Sequence, residues 1–212
     1  LIDVTDYSSP ELFDSESAGD DTAYGEGVYK SILTGKFYGY ASQNGTNLCG
    51  QYEFIAKGSK IGWEKVRTIT LNAGDDDEHA EGMVVDQEYG KLYIGQEPVG
   101  IYLLDAEPSG DIVLEEDDML IEEGDFDIVE DIEGVTLYYG ENGKGYFFVS
   151  SQGNYTYGIF DRTPNGVKNE HVANFCVVDD MNGIDGAQET DSLDVTNIPL
   201  GTKFPYGAMI FQ

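Results

Sequence analysis

An all-β fold, a β-propeller built from four-stranded blades, is what this sequence predicts. Three observations carry it: short alternating runs rich in Val, Ile, Tyr and Phe between glycine turns, a Gly-Lys turn recurring at nearly constant spacing, and an acidic residue in register with that turn. The turn occurs at Gly35-Lys36, Gly90-Lys91 and Gly143-Lys144, with a variant at Gly201-Thr202-Lys203, so the glycine spacings are 55, 53 and 58. An aromatic-rich run follows each one, over residues 37–40, 92–94, 146–149 and 204–211. The second unit continues with runs at 100–104 and, more weakly, 111–114; the third continues at 157–160 and 172–178.

Four strands in about 50 residues is the repeat length of a propeller blade. A β-sandwich has shorter strand spacing and gives no reason for an acid to recur in register. From residue 24 three units fit, and a fourth stops after about two strands at Gln212. Residues 1–23 are expected to hold the end of a preceding blade and an acidic loop, and 24–212 a partial propeller. An unclosed propeller leaves bare strand edges, so two or more further blades are expected outside these residues. The start at Leu1 rather than Met is read as a processed or truncated one.

Composition narrows the function. The 212 residues carry 11 basic and 41 acidic side chains, a net charge of −30. Nucleic acid is excluded as a partner, because phosphate backbones need clustered Lys and Arg; an anionic membrane surface is excluded for the same reason. Disorder is excluded too, since 40% hydrophobic and 12% aromatic residues suffice for a core. No run approaches the ~18 apolar residues of a membrane span. Cys49 and Cys176 have no metal-type spacing and read as two buried thiols, with a mutual disulfide as the alternative. Asn44-Gly45-Thr46 and Asn154-Tyr155-Thr156 are glycosylation triplets, meaningful only in a protein secreted by a eukaryote.

The acidic residues fall into two kinds. Asp75-Asp76-Asp77-Glu78, Glu115-Glu116-Asp117-Asp118 and the acids between Glu122 and Asp127 read as solvated loop charge. The recurring acids read differently. Glu26 and Glu81 lie nine residues before their turn glycines; Glu133 and Asp191 lie ten before theirs. Gly27, Gly82 and Gly134 follow three of them; Ser192 follows Asp191. The first strand of each propeller blade lines the central channel, so Glu81, Glu133 and Asp191 are expected to converge there, with Glu26 as a fourth. Converging carboxylates repel, and they either protonate or bind a cation. Oxygen ligands without clustered His or Cys point to Ca2+. His79 and His171 read as structural or surface residues. Sequence signatures of a Ser elbow, a P-loop, a zinc-protease helix and a catalytic thiol are all absent.

At several places the residues resemble one family, the β-propeller or alkaline phytases. The similarity runs from Glu81-Gly82-Met83 through Gly90-Lys91-Leu92-Tyr93, then over Asp131-Ile132-Glu133-Gly134, and from Gly143-Lys144 into Ser150-Ser151-Gln152-Gly153. It ends over Asp185-Gly186, Thr190-Asp191 and Phe204-Pro205-Tyr206-Gly207. It covers nearly all of residues 24–212. The resemblance implies a six-bladed propeller, secreted to the extracellular side, that acts as a 3-phytase-like phosphatase. It removes phosphate from calcium-bound inositol hexakisphosphate by attack of metal-activated water. It implies several Ca2+ ions, held by Tyr24, Glu81, Glu97, Glu133, Asp185 and Asp191, with Glu97, Glu133 and Asp185 in the catalytic set. Neither Glu97 nor Asp185 follows from the repeat.

Three positions depart from the family pattern. A phosphate-gripping lysine aligns with Asn44, the acidic pair near Glu97 begins with Gln96, and Ser192 replaces a glycine. The Asn44 departure supports an alternative: a non-catalytic, calcium-stabilised propeller serving as an extracellular binding or matrix module.

Overall fold

A computed structural model describes residues 23–58, 60–72, 79–97, 99–162, 169–179, 181–183 and 185–212, with the backbone of residues 2–3 and 11–12. The run Asp75–Glu78 of the sequence reading lies outside these residues, as do most of residues 1–23. What is described at that end is a two-residue pair, β1 (Ile2–Asp3) with β2 (Glu11–Leu12), antiparallel.

The predicted blades are present. The first sheet holds β3 (Ala23–Lys30), β4 (Phe37–Gln43), β5 (Leu48–Lys57) and β6 (Lys60–Leu71), all antiparallel neighbours. The second holds β7 (Ala80–Asp86), β8 (Lys91–Gln96) and β9 (Gly100–Asp105). Its fourth strand is not residues 111–114, as the sequence reading has it. Those residues give β10 (Val113–Leu114), which pairs parallel with β6 of the first sheet. The fourth strand is β11 (Met119–Glu122), whose Met119, Leu120 and Ile121 are buried between two acidic runs. Three apolar residues amid so much charge gave too short a period to read. The third sheet holds β12 (Ile132–Tyr139), β13 (Gly145–Ser151), β14 (Thr156–Asp161) and β15 (His171–Phe175). A last pair, β16 (Leu193–Thr196) with β17 (Ala208–Phe211), closes the chain. The strand predicted from residue 204 starts only at 208, because Pro205 has no N–H for the ladder and Gly207 turns through φ 99°. No helix among the described residues is long and apolar enough to cross a membrane.

The first strands β3, β7, β12 and β16 pack against one another in sequence, which makes them the inner strands. Side chains alternate across each strand, so the middle blade feeds two cores. Leu92, Ile94, Tyr102 and Leu104 join Tyr29, Tyr40, Ile69 and Met83 on one side. Tyr93 and Ile101 join Ile132, Leu137, Phe147 and Phe160 on the other. That double burial is why β8 and β9 read as nearly continuous apolar runs. Cys49 lies in the first core; Cys176 is exposed, against the expectation of two buried thiols, and both are free.

The recurring turn glycines are conformational. Gly35, Gly90, Gly143 and Gly201 all have φ between 62° and 82°, where a Cβ is disfavoured. A second glycine position is steric. A Cβ on Gly82 would lie 1.9 Å from the carbonyl oxygen of Glu133, and one on Gly25 the same distance from that of Glu81. Successive inner strands therefore touch backbone to backbone. Gly82→Ala is expected to lower unfolding free energy by about 1–3 kcal/mol, read from thermal or denaturant unfolding; unchanged stability would contradict this packing.

Candidate metal centre

Three of the four inner strands, β3, β7 and β12, begin with a bulge. Ala23 pairs Gln43, Ala80 pairs Gln96 and Ile132 pairs Ser151; the register then shifts before Glu26, Met83 and Val135. The bulged residues are thus Tyr24-Gly25, Glu81-Gly82 and Glu133-Gly134. A bulge re-aims a side chain, and here it repeats from blade to blade. The ladders correct the expectation for Glu26. Tyr24 occupies the register of Glu81 and Glu133, and Glu26 that of Met83 and Val135. Counting back from the turn glycine misleads because the turns differ in length, spanning residues 31–36, 87–90 and 140–144.

Around these bulges an acidic cluster forms. Glu97 arrives on the turn after β8, where its N–H donates to the carbonyl of His79 at 3.3 Å. Glu81 lies within hydrogen-bonding reach of both Glu97 and Glu133. Burial, the hydrogen bond with Glu81 and the charges of Glu81 and Asp131 push the Glu97 carboxyl up to about 8. Burial, the same kind of hydrogen bond and the charges of Glu97, Glu81 and Asp191 push Glu133 up to about 9. The phenol of Tyr24 is raised too, first by the charge of Glu81, then by burial and by Glu97 and Glu133. Asp131, which adds its charge here, adopts a left-handed φ of 58° at the entry to β12.

The remaining predicted positions divide. Asp191 stands just before β16, exposed, accepting a hydrogen bond from Gln152 Nε2 at 2.8 Å. It shares with Tyr24, Glu81 and Gln212 a cleft of about 430 Å3. Asp185 is exposed beside the Val177–Ala187 bridge and makes no hydrogen bond or ion pair to the cluster. Asn44 is exposed in the β4–β5 turn, at the same end of the blades as Tyr24. Gln96 is fully buried and accepts from the hydroxyl of Tyr102 at 3.1 Å, so its amide faces the core rather than the cluster.

His79 is the residue that sequence reasoning set aside. Its Nε2 lies 3.6 Å from Glu97 Oε1, and ligand atoms of His79, Glu81 and Glu97 lie within 4.8 Å of one another. Tyr24 packs edge-on against its ring, centroids 4.5 Å apart. His171 does read as structural: it stacks on Phe126 and bonds Asn174.

The donor set fits a divalent cation. His79 Nε2, Glu97 Oε1 and Glu133 Oε2 are buried and lack hydrogen-bond partners among the described residues, a state that costs free energy in a folded protein. The described residues that join strands at this end, within 44–47, 72–79, 97–99, 123–131, 152–155 and 176–192, include no Lys or Arg. Lys30, Lys36, Lys91, Lys144 and Arg162 sit at the other end of the sheets. Among the described residues, the charge repelled within the cluster thus meets no Lys or Arg at the cluster mouth.

Blades whose inner strands open on carboxylates gathered around unpartnered oxygens define an acidic propeller with a candidate cation-binding mouth. A sequence profile described as Phytase matches residues 13–212, and the chain belongs to the phytase family. A curated protein named 3-phytase, from Bacillus subtilis (strain 168), is 41% identical over 191 residues, which covers 89% of this chain and 46% of that protein. The chain therefore spans about half the length of this relative.

Proposed function

We propose that this chain carries the metal-binding face of a calcium-dependent phosphomonoester hydrolase that acts on inositol hexakisphosphate. The observation that carries it is the meeting of Glu81, Glu97 and Glu133, with buried oxygens of Glu97 and Glu133 that have no partner among the described residues, in a mouth where no described residue is Lys or Arg. The similarity to a protein named 3-phytase supports the reaction. Glu81, Glu97, Glu133 and Asp191 would hold calcium, with Tyr24 at the rim; Asp185 stands outside that set. Bound calcium supplies positive charge for substrate phosphates and acidifies a water. The chain's own part is to fix the carboxylates through paired bulges, to exclude water from Glu133, and to release the protons that Glu97 and Glu133 carry without metal. A polyanionic substrate is otherwise repelled by a charge of −30. Such a site suits the extracellular side, where calcium modules work at about 10−4–10−3 M.

Phosphate release from inositol hexakisphosphate by the intact protein, with calcium and then with a chelator, tests this reading. Release that stops on chelation is expected; release unaffected by the chelator would overturn the calcium dependence. A second reading is favoured by Asn44, which puts a neutral amide on the rim. A non-catalytic calcium-stabilised module would show calcium-dependent thermal stabilisation with no phosphate release.

Stability should also depend on pH in a defined direction. Glu97 and Glu133 hold their protons more tightly folded than unfolded, so their contribution is complete below the ordinary 4.5 and disappears as pH rises through about 8 and 9. Metal-free protein is expected to lose thermal stability across that window, and saturating calcium to restore it. The part due to these residues is the difference from a Glu97→Gln/Glu133→Gln double variant. Identical slopes in both proteins would contradict the assignment.

A further inference from the structure

We propose that His79, Glu81 and Glu97 form a mixed nitrogen–oxygen subsite, at the edge of the carboxylate cluster, that binds a borderline divalent ion of the Zn2+ class in preference to Ca2+. The inference rests on the reading of the cluster as a cation site and adds a second metal chemistry to it. Its ground is the donor type. Calcium takes hard oxygen ligands, whereas neutral imidazole suits Zn2+, Co2+ and Ni2+.

The geometry is close to what such an ion requires. Two ligand atoms about 2.1 Å from one ion, at a tetrahedral angle, lie about 3.4 Å apart. His79 Nε2 and Glu97 Oε1 are 3.6 Å apart, and both are buried without a hydrogen-bond partner among the described residues. An ordinary ion-pair hydrogen bond is shorter than this, so neither atom is satisfied by the other. Glu81 brings a third ligand atom within 4.8 Å. Next to this trio, Glu133 is only 7% exposed and also keeps an unpartnered oxygen.

The ring is held in place for the role. Tyr24 packs edge-on against it at 88°. The Glu97 N–H to His79 carbonyl bond ties the segment before β7 to the turn after β8, so two ligand-bearing segments move as one. Three protein ligands leave a position for water, the pattern of an open zinc site. Because Glu81 and Glu97 are shared with the proposed calcium set, the two metals compete: Zn2+ in this subsite should lower the amount of calcium the cluster holds.

The test is a Zn2+ titration of the intact protein against a chromophoric chelator, with calcium present, in wild type and His79→Gln. The variant is expected to lose at least about tenfold in Zn2+ affinity, with Ca2+ affinity kept within about twofold. Equal Zn2+ affinity in both proteins overturns the proposal. A second readout needs no variant. This chain has two histidines, and Zn2+ should shift the imidazole NMR signals of His79 and leave those of His171 alone. Unmoved signals from both rings at saturating Zn2+ overturn it as well. The two readings separate cleanly. Calcium-dependent phosphate release with His79-independent zinc binding sinks this subsite alone; His79-dependent zinc binding without phosphate release sinks the proposed reaction and leaves the subsite.

Discussion

Replacing Glu133 by Gln is expected to reduce calcium-supported phosphate release at least about a hundredfold while leaving the metal-free protein at least as stable as before. The two halves have one cause. Burial and the charges of Glu97 and Glu81 push the Glu133 carboxyl up to about 9, so near neutral pH it carries a proton when no metal is present. Glutamine resembles that neutral form in size and charge but has no carboxyl to ionise on unfolding, so near neutral pH the metal-free stability should hold or rise. Calcium needs the ionised carboxylate, which the amide cannot supply. Losing even an outer-shell partner of a metal costs 10–100-fold, and a ligand at the centre of the cluster should sit at or above the top of that range. At a calcium concentration about a hundred times the dissociation constant, wild type gains about 2.7 kcal/mol from binding, and the variant should lose most of it. The checks are phosphate assays and thermal unfolding with and without calcium. A variant that keeps both release and calcium stabilisation would remove Glu133 from the site.

The second large effect lies at the other end of the blades. Arg162→Met is expected to destabilise the fold by about 3–5 kcal/mol, the cost of stranding a buried charge. The Arg162 side chain is wholly buried. Its Nε and Nη2 donate to both oxygens of Asp86, at 2.8 and 2.6 Å, and Nη2 also to Glu88 at 2.8 Å. Nη1 donates to the carbonyls of Gly143 and Lys144. The guanidinium lies 4.2 Å from the ring centre of Tyr139 and 4.8 Å from that of Tyr89. One side chain from the end of β14 thus joins the β7–β8 turn to the β12–β13 turn. Without it Asp86 is left charged and desolvated, although the N–H groups of Glu88 and Tyr89 still bond it. At about 2–4 °C per kcal/mol for a chain of this size, the melting temperature should drop by roughly 6–20 °C. Adding Asp86→Asn should recover part of the loss, because the pair acts as a unit. Calcium affinity of the folded fraction should not change, since the cluster is at the opposite end. A fall in melting temperature of under about 2 °C would contradict the brace.

Much of this arrangement was legible from the sequence, and the gaps have physical causes. The Gly-Lys turns are visible because a positive φ demands glycine at one place per blade. The acid-glycine pairs at Glu81 and Glu133 are visible because the bulge aims the acid inward while the next inner strand leaves no room for a Cβ. In the first blade a tyrosine replaces the acid, so a count along the chain lands on Glu26, two residues away. Strand β11 hides because its three buried residues are flanked by carboxylates. His79 and Glu97 come together only through the pairing of β7 with β8, which brings residue 80 beside residue 96; no spacing rule along the chain brings them together. Glu97 entered through family resemblance, and His79 only through the structure.

The most direct test of the central claim is a crystal structure of the intact protein grown in saturating calcium. The expected result is ion density between Glu81, Glu97 and Glu133, with their oxygens about 2.3–2.6 Å from it. Carboxylates joined to one another by protons or water, with no ion between them, would contradict it.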